Sequence, residues 1–151
     1  TPMNSSAASD VYKRQLQQAA KTSDPKGEKI NIAVPPDNIP IFPIQVQSIR
    51  RALINLFTNA IRYAGKANAQ IQIFDDHSEV IIDDNGPGIP RDKRDEVVLP
   101  FTRLDNSRNN KTGGTGLGLS IAKNSALNHG GELILEDSPL GGLRVRLLLP
   151  L

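Results

Sequence analysis

"AQIQIFDDHSEVIIDDNGPGIP", residues 69–90, decides the fold. Its two apolar runs, "AQIQIF" and "EVIIDD", have the length and pattern of strands, and the polar "DDHS" between them makes a hairpin. The second strand ends in Asp83 and Asp84 and runs into a segment that can be neither helix nor strand. Glycine lifts the steric bar to positive φ, while Pro87 and Pro90 fix φ and remove backbone donors. Two negative charges at the lip of such a bend need a reason beyond local structure.

Upstream, from Gln45 to Ala64, apolar residues recur at helical spacing: Val46, Ile49, Leu53, Leu56, Phe57, Ala60, Ile61 and Ala64, with Gly65 as a stop. "KINIAV" reads as a strand, and "PPDNIPIFP" carries too much proline for anything but an edge or loop. Downstream, residues 85–113 form a long irregular stretch with room for one short helix at "RDKRDEVV". "LGLSIAKNSALNH" reads as a helix closed by Gly130 and Gly131, and "GELILE" and "GLRVRLLLP" as two final strands. The order is helix, paired strands, long loop, helix, paired strands. It points to an α+β sandwich with a mixed or antiparallel sheet, not to an alternating doubly wound fold.

The 151 residues suffice for one domain with a real core. The chain begins with Thr1, so it is expected to be part of something longer. Residues 1–14, "TPMNSSAASDVYKR", are polar and without period; they look like a cloning scar or translated sequencing adapter, or a disordered leader, outside the fold. Residues 15–29 read as a helix end and linker, and the domain proper as 30–151. The net charge of +2 comes from interleaved acids and bases, not the basic cluster a nucleic acid requires. No cysteine is present, which excludes disulfides, thiolate metal sites and cysteine nucleophiles. No apolar run approaches the roughly 18 residues of a membrane span, so no membrane contact is expected here.

Three segments carry chemistry. With Asn55 at zero on a helical wheel, Asn59 falls near ~40°, Arg62 near about −20° and Tyr63 near ~80°, away from the apolar set. The plain reading is a solvated helix face. Two asparagines in mid-helix cost stability without capping anything, however, and amide, guanidinium and phenol together suit a nucleotide with its magnesium. "GGTGLGLS", residues 113–120, lets backbone N–H groups approach an anion at the start of a helix. A Gly-rich turn is the plain alternative, and neither the Walker A pattern nor the dinucleotide fingerprint fits. The acidic corner is the third. Carboxylates do not belong beside a triphosphate, so an aspartate here suits the base end, where an exocyclic amine donates. Gly86 and Gly88 would let a purine approach the backbone, and Ile89 could pack on its face. A β-turn with incidental acids is the plain alternative.

In this order, the segments resemble the catalytic and ATP-binding domain of sensor histidine kinases, within the wider group that includes gyrase B. "NLFTNAIRY" is similar to the N box, "DDNGPGIP" to the G1 box, "LPFTRLDNSR" to the F box and "GGTGLGLS" to the G2 box. The resemblance runs from about Ile30 to the C-terminus. It implies a two-layer Bergerat-type sandwich, a mixed and mostly antiparallel sheet, and an ATP lid between G1 and G2. It implies ATP and Mg²⁺ as cofactors: Asn59 holds the metal, Asn55 beside it and Arg62 serve catalysis, and Arg62 reaches the phosphates. Tyr63 would lie against adenine and Asp84 would accept from its amine, with Gly86, Gly88 and Ile89 alongside. Gly114, Thr115, Gly116, Leu117, Gly118 and Leu119 would line the phosphates. Phe101 would position the lid, and Arg103, Arg108 and Lys111 are further phosphate-side candidates.

The last strand carries Leu143 and Arg144 where many relatives have a threonine near the base. The phosphoacceptor is also missing: His77 precedes Ser78 in a hairpin and His129 precedes Gly130 at a helix end, and neither has the following acid. The resemblance thus implies phosphoryl transfer to a histidine on a separate dimerisation domain, with a response regulator downstream, a cytoplasmic position and a membrane-anchored parent. An ATP-driven clamp of the gyrase or mismatch-repair type and a nucleotide-binding module without turnover remain alternatives.

Overall fold

The computed structural model describes residues 5–33, 35–37, 39–40, 42–100 and 118–151. The elements are α1 (Ser5–Ser23), β1 (Ile30–Ile32), α2 (Val46–Tyr63), β2 (Ala67–Ile73), β3 (His77–Asp84), a 3₁₀ turn (Arg91–Lys93), α3 (Arg94–Val97), α4 (Gly118–Asn128), β4 (Glu132–Asp137) and β5 (Leu143–Pro150). The strands form one sheet in the order β1-β2-β3-β5-β4. Only β1 and β2 are parallel; the other neighbours are antiparallel. The mixed, mostly antiparallel sheet is therefore as the sequence suggests.

Alternation along each strand makes the two layers. Ala67, Ala69 and Ile71 of β2, Val80 and Ile82 of β3, and Leu143, Val145, Leu147 and Leu149 of β5 share one buried cluster with the helices. Into it α2 sends Ile49, Ala52, Leu53, Leu56, Phe57 and Ala60, and α4 sends Leu119, Ala122 and Ala126. Burying each large side chain stabilises the fold by about 1.5–3 kcal/mol. This, rather than intrinsic propensity, holds a helix that carries two asparagines.

The opposite face of the sheet bears charge in register. Asp83 faces Arg144 across β3 and β5, and their side chains form a bidentate pair at 2.7 and 2.9 Å. One repeat along, Arg146 bridges Glu79 (2.6 and 2.9 Å) and Glu136 (2.6 Å). The Glu79 side chain is 2% exposed. Arg146 lies flat over it, and its guanidinium keeps the carboxyl below the usual carboxylate range.

Residues 5–14 are helical. They open α1, and Tyr12 and Leu16 enter the core, with the Tyr12 hydroxyl 3.3 Å from Ser78 Oγ. The residues of α1 that reach the core, Tyr12, Leu16, Ala19 and Ala20, recur at helical spacing among mostly polar neighbours. The origin of these residues is a separate matter that their conformation does not touch.

Candidate active site

At the end of β3 the chain turns through Asn85, Gly86, Pro87 and Gly88, the last at φ +72°. Asp84 points inward and is buried. Its Oδ1 accepts the N–H of Gly86 and the N–H of Leu143, each at 3.0 Å. The first closes the local turn; the second comes from β5. Charge-assisted bonds of this kind fix a carboxylate's orientation. Among the described residues, both side-chain hydrogen bonds of Asp84 fall on Oδ1.

The wall opposite is Gly142. A Cβ there would lie 2.1 Å from Asp84 Oδ1, 2.6 Å from Asp84 O and 2.6 Å from Gly86 N. At Gly88 the nearest atom to an added Cβ is Gly142 O, 3.4 Å away. The corner and the β4–β5 turn thus meet backbone to backbone. That turn is closed by Ser138 N–H on Gly142 O at 2.8 Å.

The corner is tied to α2 by Asn85. Its Oδ1 accepts from Gly65 N–H (3.1 Å) and Lys66 N–H (3.0 Å), just beyond the helix end. Its own N–H reaches Lys66 O at 3.3 Å. Along α2, Asn55, Asn59 and Arg62 are half-buried, and Tyr63 is the last residue of the helix. Asn55 Nδ2 donates to Arg51 O at 2.8 Å, while its Oδ1 lies 3.8 Å from where a Cβ on Gly118 would be. The first residue of α4 therefore sits directly against the asparagine stripe. One helix joins the acidic corner at its C-terminal end to the glycine-led start of α4 at its middle.

A second tether holds the chain leaving the corner. Arg94 Nε donates to Ile89 O (3.0 Å), and Arg94 and Arg91 both reach Asp137 at the end of β4 (2.5 and 3.3 Å). Arg94 first, then Arg91, keeps the Asp137 carboxyl below the usual range.

Of the residues singled out in the sequence, Asp84, Gly86, Gly88 and Ile89 come together at the corner. Asn55, Asn59 and Arg62 share the neighbouring stripe with the start of α4. Leu119 sends its side chain into the core, leaving only its main chain for a ligand. Phe101, Arg103, Arg108, Lys111, Gly114, Thr115, Gly116 and Leu117 lie outside the described residues, as does the Tyr63 side chain. Gly142, Asn85 and the Arg94–Asp137 tether have no counterpart among the sequence candidates; for Gly142 the only signal was the Gly141-Gly142 pair.

Neither histidine is placed as a phosphoacceptor. His129 Nδ1 contacts Ser125 O (2.7 Å), and its Nε2 accepts from the Gln45 N–H at the start of α2 (2.9 Å), so it is a cap. His77 lies between Asp76 and Glu79 at the far end of β3. Among the described residues, no helix is long and apolar enough to cross a membrane, and no group of three or more His, Cys, Asp or Glu side chains could hold a metal.

Comparison with known proteins finds relatives along nearly the whole chain. The sensor histidine kinase CpxA of Escherichia coli K12 is 34% identical over 145 residues, covering 95% of this chain and 32% of that protein. The sensor protein RstB of the same strain is 38% identical over 109 residues, covering 72% of this chain and 25% of RstB. The chain thus spans about a third or less of the length of these relatives. Among solved structures, the ATP-binding domain of PrrB from Mycobacterium tuberculosis superposes with a TM-score of 0.71 at 28% identity, covering 94% of this chain and 92% of that one. The histidine kinase domain of the E. coli osmosensor EnvZ gives 0.67 at 32%, covering 91% and 84%. The model of the histidine kinase-, DNA gyrase B- and HSP90-like ATPases matches residues 44–151, and the chain belongs to that family.

Proposed function

We propose that this domain binds Mg·ATP and passes the γ-phosphoryl group to a histidine on a separate dimerisation domain, as the catalytic part of a two-component sensor kinase. One observation carries the reading: a buried carboxylate, Asp84, oriented through one oxygen by two backbone N–H groups and walled by glycine backbone. Such an acceptor suits the exocyclic amine of adenine. The crowding at Gly142 leaves no room for a side chain beside it.

The residues present also fit a metal-bound triphosphate. Asn59 offers a neutral oxygen, Arg62 a cation and Gly118 the positive end of α4. When bound, with Asn59 as its holding residue, magnesium would supply positive charge against the charge developing on the transferred group. The chain's own part is then to orient and to exclude water. Asp84 fixes the base, α2 fixes the phosphate end relative to it, and no side chain here need act as a covalent nucleophile. The histidine donor helix and a response regulator are the partners this reading requires.

Residues 1–14 are proposed to be an artefact or leader by origin, the domain proper starting at Ile30. The deciding experiment is calorimetric titration with Mg·ATP, followed by incubation with labelled ATP and a histidine-bearing dimerisation helix pair from a relative. Heat on titration and acid-labile label on the helix pair alone are expected. No heat, or label on His77 or His129, would refute the proposal.

A further inference from the structure

The Asn85 side chain does something that neither the corner nor the helix requires for itself. It is exposed, so it fills no core space. Yet its Oδ1 takes two backbone donors, Gly65 N–H and Lys66 N–H. Both belong to the link between α2 and β2, where Ala64 has already turned extended (φ −134°, ψ 163°) while its N–H still closes on Ala60 O at 2.9 Å. The next residue of the link, Ala67, pairs with Asp84. Asn85 therefore closes a ring: α2, its exit, β2, the end of β3, and back through one amide oxygen to the exit of α2.

The members of that ring are the two ends of the proposed site. Asp84, adjacent to Asn85, is the base end; Asn59 and Arg62, in the last turns of the helix leaving at Gly65, are the phosphate and metal end. A ligand held at both ends binds well only if their spacing is set beforehand; if the protein must set it during binding, affinity falls. We infer that Asn85 is a positioning residue that fixes the distance between the base end and the phosphate end. Its amide oxygen, not its bulk, is the operative group. Asn85 itself touches no part of the nucleotide in this account.

The inference rests on the proposed ATP site and makes a demand that site alone does not. Ligands engaging both ends should feel the loss of Asn85, and ligands engaging one end should not. The test compares Mg·ATP with adenosine, which has the base but no phosphate, by calorimetry and by chemical-shift titration. Asn85→Ala should weaken Mg·ATP about tenfold and adenosine less than about twofold. Asn85→Asp, which keeps an oxygen at the same place, should bind Mg·ATP within about threefold of wild type. Melting temperatures of all three proteins are taken alongside. Equal losses for both ligands in Asn85→Ala, an unchanged Mg·ATP affinity, or an Asn85→Asp protein as weak as the alanine variant would each overturn the inference. A wild-type chain that binds neither ligand would instead remove the nucleotide site beneath it.

Discussion

The main-chain N–H of Leu143 donates to Asp84 Oδ1 at 3.0 Å, joining residues 59 apart in sequence. The donor is backbone, so the bond asks only for a residue other than proline at that position. The absence of the threonine that many relatives carry leaves this bond intact. Loss of the acceptor is another matter. Asp84→Asn presents an amide that must either turn its NH₂ toward two N–H donors or offer the NH₂ to the ligand. Affinity for adenine nucleotides should fall at least about tenfold by calorimetry, with far-ultraviolet circular dichroism unchanged. An unaltered affinity would dismiss Asp84 as the base-end acceptor.

Asn59→Asp adds negative charge where the triphosphate is expected. Binding of ATP without metal should weaken by repulsion, and the dependence of transfer on magnesium concentration should change. Removing the metal with a chelator should abolish transfer in both proteins. Wild-type transfer at every magnesium concentration would take Asn59 out of the metal site.

Gly142→Ala places a methyl group against Asp84 Oδ1, Asp84 O and Gly86 N. The atoms it meets are backbone and a pinned carboxylate, so relief requires the β4–β5 turn to shift. A destabilisation of about 1–3 kcal/mol in urea titration is expected, together with weakened nucleotide binding. Gly141→Ala tests φ instead: its Cβ would meet nothing within 4 Å, but its φ is +96°. It should lose stability while keeping affinity.

Arg146→Leu strips the cation from a carboxylate that is 2% exposed. Breaking such a pair from one side should cost about 3 kcal/mol, read from the denaturation midpoint. The double variant Arg146→Leu with Glu79→Leu should recover most of it, since the buried carboxylate, left with His77 in place of its guanidinium partner, is then gone. A single variant as stable as wild type would show the pair to be dispensable.

His77 makes stability depend on pH. Asp76 Oδ1 (2.6 Å) chiefly, and Glu79 Oε1 (3.0 Å) after it, hold the imidazolium above the ordinary histidine range. A raised folded-state value means that the contribution is complete below the unfolded-state pKa of about 6.5 and fades as pH rises through the folded one. Asp76 and Glu79 are shifted down, so their share appears above the ordinary carboxylate range and is lost in acid. His77→Gln should therefore lower the melting temperature most near pH 6 and least near pH 9. Equal losses at both would mean that charge has no part.

Much of this was legible beforehand because it is local. The α2 face follows from a 3.6-residue period, the hairpin from alternation and a polar turn, and the corner from Gly and Pro chemistry within eight residues. What escaped depends on register between distant strands. Asp83 had no assigned role until β3 and β5 were paired, after which Arg144 stands opposite it. Gly142 is an ordinary turn glycine until Asp84 is placed beside it. Asn85 is an unremarked member of a turn until the exit of α2 arrives at its oxygen.

Strand β3 has His77 at one end and Asp84 at the other, seven steps apart. At about 3.3 Å per step the two ends are separated by about 23 Å. In physiological salt that is nearly three screening lengths of about 8 Å. A proton arriving at His77 is therefore electrostatically inaudible at Asp84: protonation of this histidine can tune how firmly the domain stays folded without its charge reaching the acidic corner.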